Sequence, residues 1–146
     1  MKRRFPGKCG ERETSFGATP NTGTETVLLV EDELFVRNLV GRYLRRLGYR
    51  VLEAGSGPDA MNAWQKAGRQ IDMLFTDMVL PGGMSGLELA HTLKTFLPGL
   101  KVIISSGYSA EITQMEPPTL GGIKYLPKPY NMTDLGTAVR ECLDQK

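Results

Sequence analysis

The sequence has no apolar run near the roughly 20 residues needed to cross a bilayer, so no helical membrane span is expected. It has two cysteines, Cys9 and Cys142, near opposite ends of 146 residues. Isolated thiols of this kind read as reduced and intracellular. There is one histidine, His91, and with two scattered cysteines it cannot build an ordinary zinc site. Charge of one sign is also missing: 18 Lys and Arg stand against 16 Asp and Glu. The small excess lies in residues 1–25, which carry five basic and three acidic side chains. The remainder is neutral and offers no broad electrostatic footprint for nucleic acid. The basic start Lys2-Arg3-Arg4 has no apolar stretch behind it, so it does not read as a secretory signal. A cytoplasmic location without a membrane partner is the expectation.

Residues 1–25, rich in Gly, Thr, Pro, Arg and Glu, show no apolar period and read as a disordered tail or linker. One domain is expected over residues 26–146. Val27–Val30 is wholly apolar, as in a strand buried on both faces. Val36, Val40, Leu44 and Leu47 then share a helix face that ends at Gly48. Tyr49–Glu53 predicts a second strand, less apolar and so nearer an edge. Ser56 caps a helix bearing Ala60, Trp64 and Ala67. Ile71–Thr76 predicts a third strand. Ser85 and Glu88 form a capping box for a helix through Leu89, Leu93 and Leu97, stopped by Pro98-Gly99. Lys101–Ser105 predicts the fourth strand, Ala110–Met115 a short helix before Pro117-Pro118, and Ile123–Leu126 the fifth strand. Asn131 caps a last helix whose Leu135, Ala138, Val139 and Cys142 lie on one face. Five strands alternating with five helices imply an α/β fold, a parallel sheet covered on both faces.

Ligands of open α/β sheets bind beyond the carboxyl ends of the strands. There the chain sets Glu31-Asp32-Glu33, Thr76-Asp77, Ser105-Ser106-Gly107 and Pro127-Lys128-Pro129. Taken singly these are bland: acidic residues after a strand often only cap the next helix, Asp77 could serve a turn, Ser106 says little, and Lys128 could be a solvated lysine. Jointly they put carboxylates, a hydroxyl and an ammonium on one rim. Carboxylates packed together repel unless a cation intervenes, and Mg²⁺ suits such oxygen ligands. With Mg²⁺ and Lys128 the rim could accept phosphoryl oxygens, and a carboxylate could act as nucleophile.

The motifs VLLVEDE, LFTDMVLPGGMSGLEL, VIISSGYS and YLPKPY, in this order, resemble those of bacterial two-component receiver domains from Thr26 to about Leu143. The resemblance implies a flavodoxin-like doubly wound (βα)5 fold with strand order 2-1-3-4-5. It implies Asp77 as phosphoryl acceptor, Asp32 as direct metal ligand, Glu31 acting through water, and the backbone carbonyl of Val79 as a further ligand. Ser106 and Lys128 would each hold a phosphoryl oxygen, Pro129 would follow a cis peptide, and Tyr125 would be the switch aromatic. Histidine kinases or phosphotransfer proteins would donate, and a face of helix four, strand five and helix five would meet a downstream partner. The chain would be a stand-alone signalling phosphoacceptor rather than an enzyme, with weak self-catalysed turnover, as monomer or weak phosphorylation-dependent dimer. LPGGMSG, SGYS and LPKPY are worded like receivers of hybrid sensor kinases, with Gly82-Gly83 lengthening the loop after Asp77 and a short fourth helix. A degenerate receiver, serving only as a scaffold, is the alternative. An FMN binder is disfavoured because Glu31-Asp32-Glu33 would repel a phosphate. A phosphohydrolase is disfavoured because Val79 stands where Asp-x-Asp needs its second acid. Outside the site, His91 reads as surface or packing and Trp64 as core or helix surface. Arg37, Arg42, Arg45 and Arg46 read as a solvated face, or with Phe35 and Leu39 as a docking patch for a helix bundle.

Overall fold

A computed structural model describes residues 21–67, 70–107 and 122–145. Its elements are β1 (Thr26–Val30), α1 (Leu34–Arg46), β2 (Arg50–Ala54), α2 (Gly57–Ala67), β3 (Met73–Asp77), α3 (Gly86–Phe96), β4 (Lys101–Ser106), β5 (Ile123–Pro127) and α4 (Met132–Asp144). The helix expected at Ala110–Met115 lies outside the described residues. The strands form one parallel sheet in the order β2-β1-β3-β4-β5.

Side chains of adjacent strand residues point to opposite faces, and β1 shows the consequence. Val27 and Leu29 join Val40 and Leu44 of α1 and Leu135, Val139 and Cys142 of α4 on one face. Leu28 and Val30 join Ala60 and Trp64 of α2 and Leu89 and Leu93 of α3 on the other. All five residues of β1 are buried, which is why its sequence carries no alternation. Each fully buried Leu contributes about 1.5–3 kcal/mol of transfer free energy. Cys142 is a free, fully buried thiol that burial pushes to higher pKa. No described helix is long and apolar enough to cross a membrane.

The strand bounds differ from expectation by a residue or two. Tyr49 is buried, but its amide donates to Leu44 O (3.1 Å) and closes α1, after Gly48 has taken a φ of 105°. The β2 ladder therefore starts at Arg50. At the other end β3, β4 and β5 run one residue further than their apolar runs, to Asp77, Ser106 and Pro127. Residues 21–25 lie against the molecule before β1: Gly23 N–H donates to Leu47 O (3.0 Å), and Arg140 of α4 binds Glu25 at 2.8 Å.

Candidate functional site

β1 and β3 are hydrogen-bonded neighbours with Val30 opposite Thr76, so the residues just past those positions meet. One carboxylate oxygen each from Glu31, Asp32 and Asp77 lie within 4.8 Å of one another. The three are not equivalent. Glu31 is 6% exposed, Asp32 is exposed and Asp77 is intermediate. Glu31 is held at several points: its N–H donates to Ala54 O (3.0 Å) and its carboxylate accepts from Glu33 N–H (3.1 Å). Burial pushes its pKa above the ordinary glutamate value and the charge of Asp77 adds to this, while the Glu33 amide and Lys128 pull it back.

Asp77 is the last paired residue of β3, opposite Ser105 of β4. Its Oδ1 accepts from Lys128 Nζ at 3.0 Å and from Met78 N–H at 3.1 Å. Lys128 is aimed there by the strand end before it: its N–H donates to Ser106 O (2.8 Å), and the Lys128–Pro129 peptide is cis. The side chains of this ion pair are one-third and one-seventh exposed, so it is screened less than a surface pair. Ser106 is buried at the tip of β4, opposite Pro127. Tyr125 is half-buried on β5, opposite Ile104, and packs on the α2–α3 side of the sheet. Val79 follows Asp77 by two residues and leaves 69% of its surface exposed.

The loop after Asp77 is shaped by its glycines. Gly82 and Gly83 take φ of 91° and 82°, values L side chains rarely adopt. The loop turns back so that Gly86 N–H donates to Met78 O (2.7 Å). A Cβ on Gly86 would run into the carbonyl oxygen of Asp77. The Ser85–Glu88 capping box is formed in both directions (3.1 and 2.9 Å) and fixes the start of α3 beside that loop.

Sequence reasoning passed over several residues at this site. Thr76, fully buried, donates from its hydroxyl to Asp77 O (2.9 Å). Tyr130 packs edge-on against Phe75, ring centroids 6.3 Å apart; burial and the charges of Glu31 and Asp77 push its pKa up to about 12. The four arginines of α1 divide. Arg42, Arg45 and Arg46 are exposed, as expected of a solvated face. Arg45 nonetheless reaches β2, where it pairs with Glu53 (2.8 Å) and donates to Val51 O (3.0 Å). Arg37 is half-buried: it lies 3.6 Å from Glu53 of β2 and donates to Glu31 O (2.8 Å). Phe35, Leu34 and Leu39 remain exposed on α1. Trp64 is core, 7% exposed, and His91 is exposed on α3.

The rim suits a divalent cation. Three carboxylates face one ammonium, Glu31 is desolvated, and the donors are oxygens only, the set that Mg²⁺ takes.

Comparison with known proteins gives the family. Residues 27–140 match the family model described as the response regulator receiver domain. The chain is 37% identical over 129 residues to the sensor kinase CckA of Brucella abortus, covering 88% of this chain and 14% of that protein. It is 28% identical to sporulation initiation phosphotransferase F of Bacillus subtilis, covering 84% of this chain and 96% of that one. Among solved structures, the receiver domain of the hybrid histidine kinase CckA superposes with a TM-score of 0.69 at 33% identity, covering 82% and 99% of the two chains. The response regulator TrrA of Thermotoga maritima, in complex with Mg²⁺ and BeF, superposes at 0.70 and 25% identity, covering 82% and 99%. Several curated relatives are longer: the chain spans 14% of CckA and 24% of the NtrC regulator of Azospirillum brasilense.

Proposed function

The chain belongs to the response regulator receiver family, and on that premise we propose that it takes a phosphoryl group from a phosphohistidine donor onto Asp77 in a Mg²⁺-dependent reaction. Receivers of this family are phosphoacceptors of two-component signalling rather than classical enzymes. The observation that carries the specific reading is the convergence of Glu31, Asp32 and Asp77 within 4.8 Å, with Lys128 3.0 Å from Asp77.

Both contacts to the Asp77 carboxylate fall on Oδ1, which leaves Oδ2 for phosphorus. An oxygen–phosphorus bond forms as the phosphorus–nitrogen bond to the donor imidazole breaks. The electron pair departs on that nitrogen, which takes up a proton from solvent. Lys128 neutralises charge on the phosphoryl oxygens, and the Ser106 hydroxyl binds one of them. Asp32 and Asp77 would hold Mg²⁺ directly, with the Val79 carbonyl, and Glu31 through water. The ion would supply the charge neutralisation that phosphoryl transfer chiefly needs.

A local charge change of this kind biases a bistable element. Tyr125, two residues before the tip of β5, is the side chain we assign to respond, and β5 with α4 supplies the described part of the output face. Phe35, Leu34 and Leu39 beside the site form an apolar patch that fits a donor helix bundle. We take residues 26–146 as the receiver unit, with residues 21–25 tied to it through Gly23 and Glu25.

The test is phosphotransfer from a panel of phosphorylated kinases. The wild type should acquire acid-labile, base-labile label, and Asp77→Asn none. Label persisting on the variant would assign another acceptor, and no label on either protein would favour the scaffold reading. Asp32→Asn should weaken Mg²⁺ binding severely; unchanged affinity by calorimetry would remove Asp32 from the ligand set.

A further inference from the structure

Arg37 is the only arginine of α1 whose guanidinium contacts the acidic rim. Its Nη1 donates to the backbone oxygen of Glu31 at 2.8 Å, while its Nε lies 3.6 Å from Glu53 Oε1 on edge strand β2. Glu53 is itself fixed by Arg45 at 2.8 Å. Room for this arrangement is made by two glycines. A Cβ on Gly55 would stand 2.9 Å from Arg37 Nη1, and a Cβ on Gly41 would stand 2.8 Å from Glu53 Oε2. The backbone of Glu31 is thereby held at both its carbonyl and its amide, since its N–H already donates to Ala54 O of β2. The Arg37 side chain is 20% exposed, so this hydrogen bond is largely shielded from water.

We propose that Arg37 is a positioning residue for the cation site: by gripping the Glu31 carbonyl and bracing on Glu53, it fixes where the Glu31-Asp32 pair enters the rim. Its charge serves the backbone rather than the carboxylates, because the cation that faces the Asp77 carboxylate is Lys128. The two roles predict opposite signs. If Arg37 acted only as a nearby positive charge, removing it would strengthen the binding of a second cation. If it positions the ligands, removing it weakens binding, as loss of an outer support does at other metal sites.

This inference rests on the Mg²⁺ reading above, and one titration separates the two. Mg²⁺ is titrated calorimetrically into the wild type, Arg37→Met and Glu53→Gln, each checked for its urea unfolding midpoint. Wild-type binding, with Arg37→Met weakened about tenfold while still fully folded, is the expected result. Glu53→Gln, which leaves Arg37 its backbone contact but not its brace, should weaken Mg²⁺ by less. Equal or tighter Mg²⁺ binding by folded Arg37→Met overturns the positioning role. If Arg37→Met does not fold, Arg37→Lys, which keeps the charge without the guanidinium fork, decides: weakened binding supports the role and unchanged binding overturns it. A wild type that ignores Mg²⁺ would instead remove the cation reading itself.

Discussion

Val79 sets how long a phosphoryl group on Asp77 would last. It is apolar, 69% exposed and two residues beyond Asp77, so its side chain offers no hydrogen bond to align an attacking water. The acyl phosphate is expected to be long-lived, and Val79→Gln should shorten its lifetime without preventing phosphorylation. Loss of label after removing the donor measures this, and an unchanged or longer lifetime would contradict it. The residues that bear charge at the rim could be read in the sequence because each follows an apolar run. Arg37 could not. A basic side chain on a helix usually points to water, and nothing in the spacing of Arg37, Arg42, Arg45 and Arg46 says which two reach back to β2. Tyr130 was hidden for a related reason: a tyrosine after Lys-Pro in a loop gives no sign that it packs inward, and only the tertiary fold sets it against Phe75.

Among the elements, α3 offers a clean separation of stability from site geometry. Ser85→Ala removes one half of the capping box and should cost about 1 kcal/mol with little effect on phosphorylation. Gly86→Ala should gain up to about 1 kcal/mol of helix propensity. Against that, its methyl meets the Asp77 carbonyl, a backbone atom that no rotamer change can clear, at a cost of about 1–3 kcal/mol. We expect Gly86→Ala to be net destabilised and slower to phosphorylate, read from urea midpoints and label uptake. A stabilised variant with normal uptake would refute that reading of the close approach. The strand ends teach the matching lesson. Apolar runs predicted β3, β4 and β5 to stop at Thr76, Ser105 and Leu126, yet each ladder takes in one more residue. Those extra residues are polar or proline because they stand at the rim, so hydropathy ends each strand where function begins. Capping chemistry at Ser56, Ser85 and Asn131 was legible because it needs only a short-range side chain to backbone bond, and all three form.

Across the whole molecule, the first described residues are tied to the last helix. Arg140 of α4 binds Glu25 (2.8 Å), Asp144 (2.8 Å) and the Tyr49 hydroxyl (3.3 Å), and donates to Thr22 O (3.1 Å). Contacts that join residues more than a hundred positions apart leave no local pattern, so composition alone read this stretch as tail. The Arg140 guanidinium holds the Glu25 carboxyl below its ordinary range. Its folded pKa is therefore lower than its unfolded one, and its contribution is full above the unfolded value and lost as pH falls through the folded value. The pair is partly exposed, which limits it to about 0.2–1 kcal/mol. Glu25→Gln should lower the urea midpoint at neutral pH and converge with the wild type in acid. A constant gap across that range would contradict the assignment. The central claim, that acidic groups from two strand tips and a shared cation make Asp77 reactive toward phosphorus, is tested most directly by intact mass after exposure to acetyl phosphate. With Mg²⁺ the chain should gain a single phosphoryl group, and with EDTA in its place none; equal uptake in both, or none with Mg²⁺, would contradict the account.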